Sequence, residues 1–191
     1  MVQRVFVDAN VFVSRTLRDW ICLLRAEIPA MFQLHTTEDV LAEALYTLRR
    51  NRKDADGGET VHIRQAILES IDEVLADFNG SVAYSGADPD DRHVHAAAVA
   101  CQADVLLTED QGFEESDLTP YEVYSCDDFF CLTDDAVPDR VRAVAMKQLK
   151  YWNAQPRRKG LKQALIDAGC PDFAERVEGH LRLASGVRPR H

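Results

Sequence analysis

Four acidic residues in this chain, Asp8, Glu43, Asp91 and Asp110, stand where a carboxylate could do chemistry. Asp8 ends the apolar run Val5-Phe6-Val7, and Asp110 stands two residues after Val105-Leu106-Leu107-Thr108. Such runs fit strands buried on both faces, as in parallel sheets. In open α/β sheets, ligands bind beyond the carboxyl ends of those strands. Asp91 closes Asp88-Pro89-Asp90-Asp91 at the start of a helix that follows a third strand. If these strands are central, three carboxylates meet at one edge.

Asp91 shares a helix face with Val94, Ala98 and Cys101, so it is predicted to point toward the sheet. A first-turn acid that merely favours the helix dipole explains Asp88 and Asp90 but not this direction. Glu43 is less distinctive, because it lies about 130° from the centre of its helix's apolar stripe at ~100° per residue. By that criterion alone it reads equally as a solvated surface acid. Glu38 and Asp39 read as first-turn acids, and Asp104 and Glu109 as solvated ones.

Converging carboxylates repel one another and need a reason to gather. A hard divalent cation supplies one, because Mg²⁺ takes oxygen ligands, keeps several waters and is held by a few carboxylates plus substrate phosphate. Such an ion can activate a water and neutralise charge on phosphoryl oxygens. His93 and His95 are two apart and cannot share a helix face, so they read as packing or capping groups. Neither an H-E-x-x-H pattern nor a Cys/His cluster points to zinc.

The elements that must position these acids alternate. Strands are predicted near residues 5–7, 32–35, 81–84, 105–108 and 121–124. Helices are predicted over 14–27, from Thr36 or Thr37 through a stripe of Val40, Leu41, Ala44, Leu45 and Leu48, and over about 91–102. A further long amphipathic helix carries Ile67, Leu68, Ile71, Val74, Leu75 and Phe78. Alternation of this kind implies an α/β fold, with a mostly parallel central sheet between two helical layers. Ser125 and Asp128 have the form of a capping box. Beyond about residue 134 only helical patterns remain, near 138–152, 159–168 and 171–183. The expected organisation is therefore an α/β domain over residues 1–133 and a helical C-terminal extension over 134–191.

The chain has 191 residues, 46% hydrophobic and 28% charged, an ordinary globular composition. The opening Met1-Val2-Gln3-Arg4 leads straight into a strand, so no signal peptide is expected, and the longest apolar run, 96–101, is too short to span a bilayer. Five scattered cysteines read as reduced structural thiols of a cytoplasmic protein. The formal net charge of −10 argues against a nonspecific nucleic-acid binder unless bound cations reverse the local field. Basic residues cluster at Arg49, Arg50, Arg52 and Lys53, and again at Arg157, Arg158 and Lys159. Both clusters read first as solvated faces.

Three of the acidic stretches, and the helix that carries the fourth acid, resemble the PIN-domain nucleases. Val5-Phe6-Val7-Asp8-Ala9-Asn10-Val11 resembles their opening strand and aspartate, with a small polar residue two places on. Asp88-Pro89-Asp90-Asp91-Arg92-His93-Val94-His95-Ala96-Ala97-Ala98 resembles the third acidic motif of one subgroup. Leu107-Thr108-Glu109-Asp110 resembles the fourth, and Glu43 falls on the helix that carries the second acid. The resemblance covers residues 4–131, and the helical tail is similar, more loosely, to an extension in one branch of VapC-type toxins. It implies an Mg²⁺- or Mn²⁺-dependent ribonuclease with Asp8, Glu43, Asp91 and Asp110 as catalytic and metal residues, supported by Asn10 and Thr108. It also implies a homodimer, an RNA substrate and a protein antitoxin as partners. An aspartyl-phosphate phosphatase would need a second acid two residues after Asp8, where this chain has Asn10. A PIN fold that binds without cutting, and a nuclease for DNA, remain compatible with the residues.

Overall fold

A computed structural model describes residues 2–54, 56–86, 88–113, 119–154 and 160–185. Five parallel strands form one sheet: β1 Gln3–Val7, β2 Phe32–Thr37, β3 Glu73–Leu75, β4 Val105–Leu107 and β5 Glu122–Tyr124. Their order across the sheet is β3-β2-β1-β4-β5. Strand order therefore reverses beside β1, and the crevice between the carboxyl ends of β1 and β4 is the place where such folds bind ligands. Backbone pairing continues there, with the Asp8 amide donating to the Leu107 carbonyl at 3.1 Å. Val5, Phe6, Val7, Leu106 and Leu107 are all fully buried, as strands covered on both faces must be.

The helices are α1 Ala9–Val13, α2 Arg15–Glu27, α3 Glu38–Asn51, α4 Gly57–Leu68, α5 Arg92–Ala100, α6 Cys126–Ala136, α7 Pro138–Asn153, α8 Leu161–Asp167 and α9 Pro171–Ala184. Short polar side chains start several of them. Ser14 accepts from the Leu17 amide, Thr37 from that of Val40 and Ser125 from that of Asp128. Ser125 also donates to the Asp128 carboxylate at 2.6 Å, so these two residues pair as the sequence predicts. Gly169, at φ +88°, closes α8 in the left-handed region that glycine enters without strain.

Three sequence expectations need correction. The amphipathic pattern around residues 67–78 is not one helix. α4 ends at Leu68, and Glu73–Leu75 forms the edge strand, with His35 opposite Glu73 and Thr37 opposite Leu75. The Asp72 carboxylate accepts from the Leu34 amide at 2.9 Å and is paired with Arg25, which pins the chain to the sheet edge. Residues 81–84, expected as a strand, are irregular. Finally, α1 precedes the helix expected over 14–27, because the chain turns directly after Asp8. Residues 157–159 and 186–191 lie outside the described residues.

The C-terminal helices share the core of the sheet domain. Trp20 of α2, Phe130 of α6 and Phe173 of α9 are fully buried, with centroids 4.8 Å apart for Trp20–Phe173 and 5.1 Å for Phe130–Phe173. Asp127 of α6 caps α9, its carboxylate accepting from the Asp172 amide at 3.1 Å and the Phe173 amide at 2.8 Å. Residue 134 lies inside α6. Among the described residues no helix is long and apolar enough to cross a membrane.

Candidate active site

The turn out of β1 drops Asp8 to the floor of a cleft of about 470 Å³ at the carboxyl edge of the sheet. The cleft is lined by Asp8, Asn10, Glu43, Asp90, Asp91, His93, Val94 and Asp110. All four acids singled out in the sequence are thus on one cavity wall. Each comes from a different element: the end of β1, the second turn of α3, the 3₁₀ turn Pro89–Asp91, and the loop after β4.

Asp8 is only 7% exposed and heavily hydrogen-bonded. Its Oδ1 accepts from the Ala9 amide at 2.6 Å, and its Oδ2 accepts from Asn10 Nδ2 at 2.8 Å and Thr108 Oγ1 at 2.7 Å. Burial raises its pKa, and the Thr108 and Ala9 bonds work against that rise. Asn10 and Thr108 form one small network. Asn10 also reaches Thr108 Oγ1 at 2.9 Å and accepts from the Glu109 amide at 3.1 Å, while Thr108 accepts from the Asp110 amide at 3.0 Å. Two side chains therefore tie the loop after β4 to the carboxylate after β1.

Asp91 has far less support. Its nearest donor is Tyr84, whose hydroxyl stands at a long 3.5 Å from Oδ2. Desolvation, then repulsion from Asp110, Asp88 and Asp8, pushes its carboxyl up to about 6. Asp110 Oδ1 accepts from the Gly112 amide at 2.8 Å. A Cβ added to Gly112 would lie 3.2 Å from Asp110 Oδ1 and 3.6 Å from Asp91 Oδ2, so both carboxylates converge over this glycine. Glu43 is 55% exposed at the rim, 3.9 Å from His93 Nε2. Partial desolvation and then Asp8 raise its pKa, while His93 lowers it.

Sequence reasoning missed His93 and Asp90 on this wall, and Tyr84 behind Asp91. His93 was expected to pack or cap, yet it lines the cleft, with Nδ1 donating to the Asp90 carbonyl at 2.7 Å. His95, in contrast, is buried and bonded to the Tyr121 hydroxyl at 2.6 Å. Tyr84 comes from an irregular stretch with no periodicity to betray it, and its own hydroxyl is pushed up to about 12 by desolvation and by Asp91. Asp104 and Glu109, read as solvated, accept from the Arg4 amide at 2.7 Å and the Cys126 amide at 2.8 Å.

The PIN domain family model matches residues 4–112, which is more than half the chain and runs from β1 through the last of the four acids. The chain belongs to the PIN-domain family. PIN domains are in general nucleases, and they typically use divalent metals. No curated protein and no solved structure matches the chain.

The donor set suits the kind of ion PIN domains use. Its carboxylates are all oxygen donors and strongly anionic, and Asp91 is held up by burial and then by repulsion from Asp110, Asp88 and Asp8, repulsion that a bound cation would relieve. Among the described residues no three His, Cys, Asp or Glu side chains close into a tight cage. An ion that keeps several of its waters needs only one or two direct carboxylates.

This electrostatic strain gives a stability prediction. The folded protein holds the Asp91 proton more tightly than the unfolded chain does, so stability falls as pH rises from about 4 to about 6 and stays low above that. In metal-free buffer at pH 7, Asp91→Asn should therefore stabilise the protein. The cleft is open to solvent, which reduces the effect to the order of 1 kcal/mol, or roughly 2–4 °C in melting temperature. Mn²⁺ should then stabilise the wild type more than the variant. A lower melting temperature for the variant, with equal Mn²⁺ stabilisation of both, would reduce Asp91 to a helix-start residue.

A second prediction concerns Gly112. Alanine there forces a methyl group against Asp110 Oδ1 and close to Asp91 Oδ2. If Asp91 and Asp110 act in the hydrolysis that PIN domains generally perform, displacing them by fractions of an ångström costs rate, and Gly112→Ala should lower turnover by roughly tenfold while the melting temperature barely moves. Unchanged turnover would show that these carboxylates tolerate displacement.

Proposed function

We propose that this protein is an Mg²⁺- or Mn²⁺-dependent endoribonuclease that hydrolyses phosphodiester bonds in RNA. The observation that carries this reading is the convergence of Asp8, Glu43, Asp91 and Asp110 on one cleft at the point where strand order reverses. Asp8, Asp91 and Asp110 would hold the ion directly or through water, with Glu43 beside them. When bound, the ion supplies charge neutralisation at phosphoryl oxygens and acidification of a water. Glu43, exposed at the rim with a raised pKa, is suited to orient that water and accept its proton. Asn10 and Thr108 hold Asp8 in one orientation, so its free energy of reorganisation is spent in folding rather than in the reaction.

The role as a VapC-type toxin, cytoplasmic and homodimeric and silenced by a protein antitoxin, rests on the resemblance of the acidic motifs and of the helical tail. An antitoxin covering this cleft would present Arg or Lys to the carboxylates, replacing the positive charge of the metal.

The test is purified protein with Mn²⁺, offered structured RNA and duplex DNA, with EDTA controls. RNA cleavage that requires Mn²⁺ is expected. Cleavage of duplex DNA alone, or of neither substrate, overturns the proposal.

A further inference from the structure

The acids of the cleft leave one neighbouring feature unexplained. Tyr46 of α3 is 67% exposed, an unusual position for a large aromatic ring. It lies one helical turn beyond Glu43, and Arg50 follows one turn later, with its guanidinium carbon 6.0 Å from the centre of the Tyr46 ring. Glu43, Tyr46 and Arg50 fall within ~60° of one another at ~100° per residue, so they form one strip leading away from the cleft. The strip is ~10 Å long at 1.5 Å per residue.

Part of the basic cluster has local explanations. Arg49 and Arg50 stand in the last turn of α3, where cations favour the helix dipole, and Arg52 pairs with Glu59. Neither fact accounts for an exposed ring held beneath an arginine. A ring and a cation beside a phosphodiester-cutting cleft together match what an unpaired strand needs. Bases stack on aromatic faces regardless of sequence, and guanidinium groups neutralise the backbone. Arg50 and Lys53 are also local positive charge in a chain of net charge −10, the sign a polyanion requires.

We propose that this face of α3 is a binding track for single-stranded nucleic acid, with a base stacked on Tyr46 and a backbone phosphate at Arg50, feeding the strand to the cleft. It deepens the nuclease reading and rests on it for the direction of the strand. A duplex keeps its bases stacked on one another and gains nothing from Tyr46, so the track selects unpaired segments.

The test uses the full chain carrying Asp91→Asn, in chelated buffer, with a short fluorescein-labelled single-stranded RNA and its duplex read by fluorescence anisotropy. Tyr46→Ala should weaken single-strand binding about tenfold, and Tyr46→Trp should restore it. Duplex binding should be unchanged by either. Arg50→Gln should flatten the dependence of log affinity on log salt by about 0.7 for one lost phosphate contact. Equal single-strand affinity for Tyr46→Ala, or equal losses on strand and duplex, overturns the track. So does a change of Tyr46→Ala from dimer to monomer by light scattering, which would make Tyr46 a contact between copies. Cleavage by the otherwise unaltered protein with Mn²⁺ separates the two readings. RNA that is bound through Tyr46 but never cut overturns the nuclease and not the track. RNA cut with the same kcat/KM with and without Tyr46 overturns the track and not the nuclease.

Discussion

Mn²⁺-dependent cleavage of RNA should fall by at least about a hundredfold in Asp91→Asn, the size of loss that follows removal of a group aimed at transition-state charge. Asparagine keeps the shape of the side chain and removes only the charge. Asp91 has one long contact to lose, from Tyr84 at 3.5 Å, so the fold should survive the change. Asp110→Asn should behave alike. Asp8→Asn should be as inactive but harder to interpret. The buried Asp8 carboxylate accepts from the Ala9 amide on Oδ1 and from Asn10 and Thr108 on Oδ2, and an amide has one oxygen, so its NH2 group would face one set of donors. The loss of a buried hydrogen bond there costs about 1–3 kcal/mol, so inactivity would mix chemistry with folding. Glu69→Gln, an exposed acid outside the cleft, is the control and should cleave at the wild-type rate. The measurement is single-turnover cleavage with melting curves for each variant. Full activity in folded Asp91→Asn and Asp110→Asn would remove the cleft from the mechanism.

Phe173→Ala should destabilise the whole protein by about 3–5 kcal/mol, the usual cost of removing a buried aromatic ring from a core. For a chain of this length that is a fall of roughly 10 °C in melting temperature. Phe173 is fully buried between Trp20 of α2 and Phe130 of α6, with Trp20 edge-on at 85°. The cavity would open in a core shared by α2, which flanks the sheet, and α9, which lies in the proposed extension. The effect should therefore reach the cleft. Tryptophan fluorescence, circular dichroism and Mn²⁺-dependent activity should be lost together in one transition. If α9 melts first while RNA cleavage persists, the extension contributes no stability to the nuclease.

Much of the candidate site was legible in the sequence. The apolar runs before Asp8 and Asp110 fit buried strands, and the position of a residue just after a parallel strand is set by the strand itself. The inward turn of Asp91 followed from helical spacing alone, because the face it shares with Val94 and Ala98 is the face that needs burial. The family resemblance added Glu43, which no periodicity singles out, since an acid on the rim of a cleft and an acid on an open surface make the same local pattern.

Tertiary structure decided what depends on partners distant in sequence. Residues 73–75 are a strand because β2 offers them an open edge, with Asp72 tied to Leu34 and Arg25; the same residues satisfy helical spacing equally well. Tyr84 reaches Asp91 from an irregular stretch, and His93 faces Glu43 across the cleft, by chain paths that no periodic signal encodes. The convergence of Asp91 and Asp110 over Gly112 likewise depends on where two loops meet. Which carboxylates sit at strand and helix ends was readable along the chain, because apolar patterning and periodicity are local properties. Only the packed fold determined how close they come and how strongly they repel, because distance and desolvation belong to the whole chain.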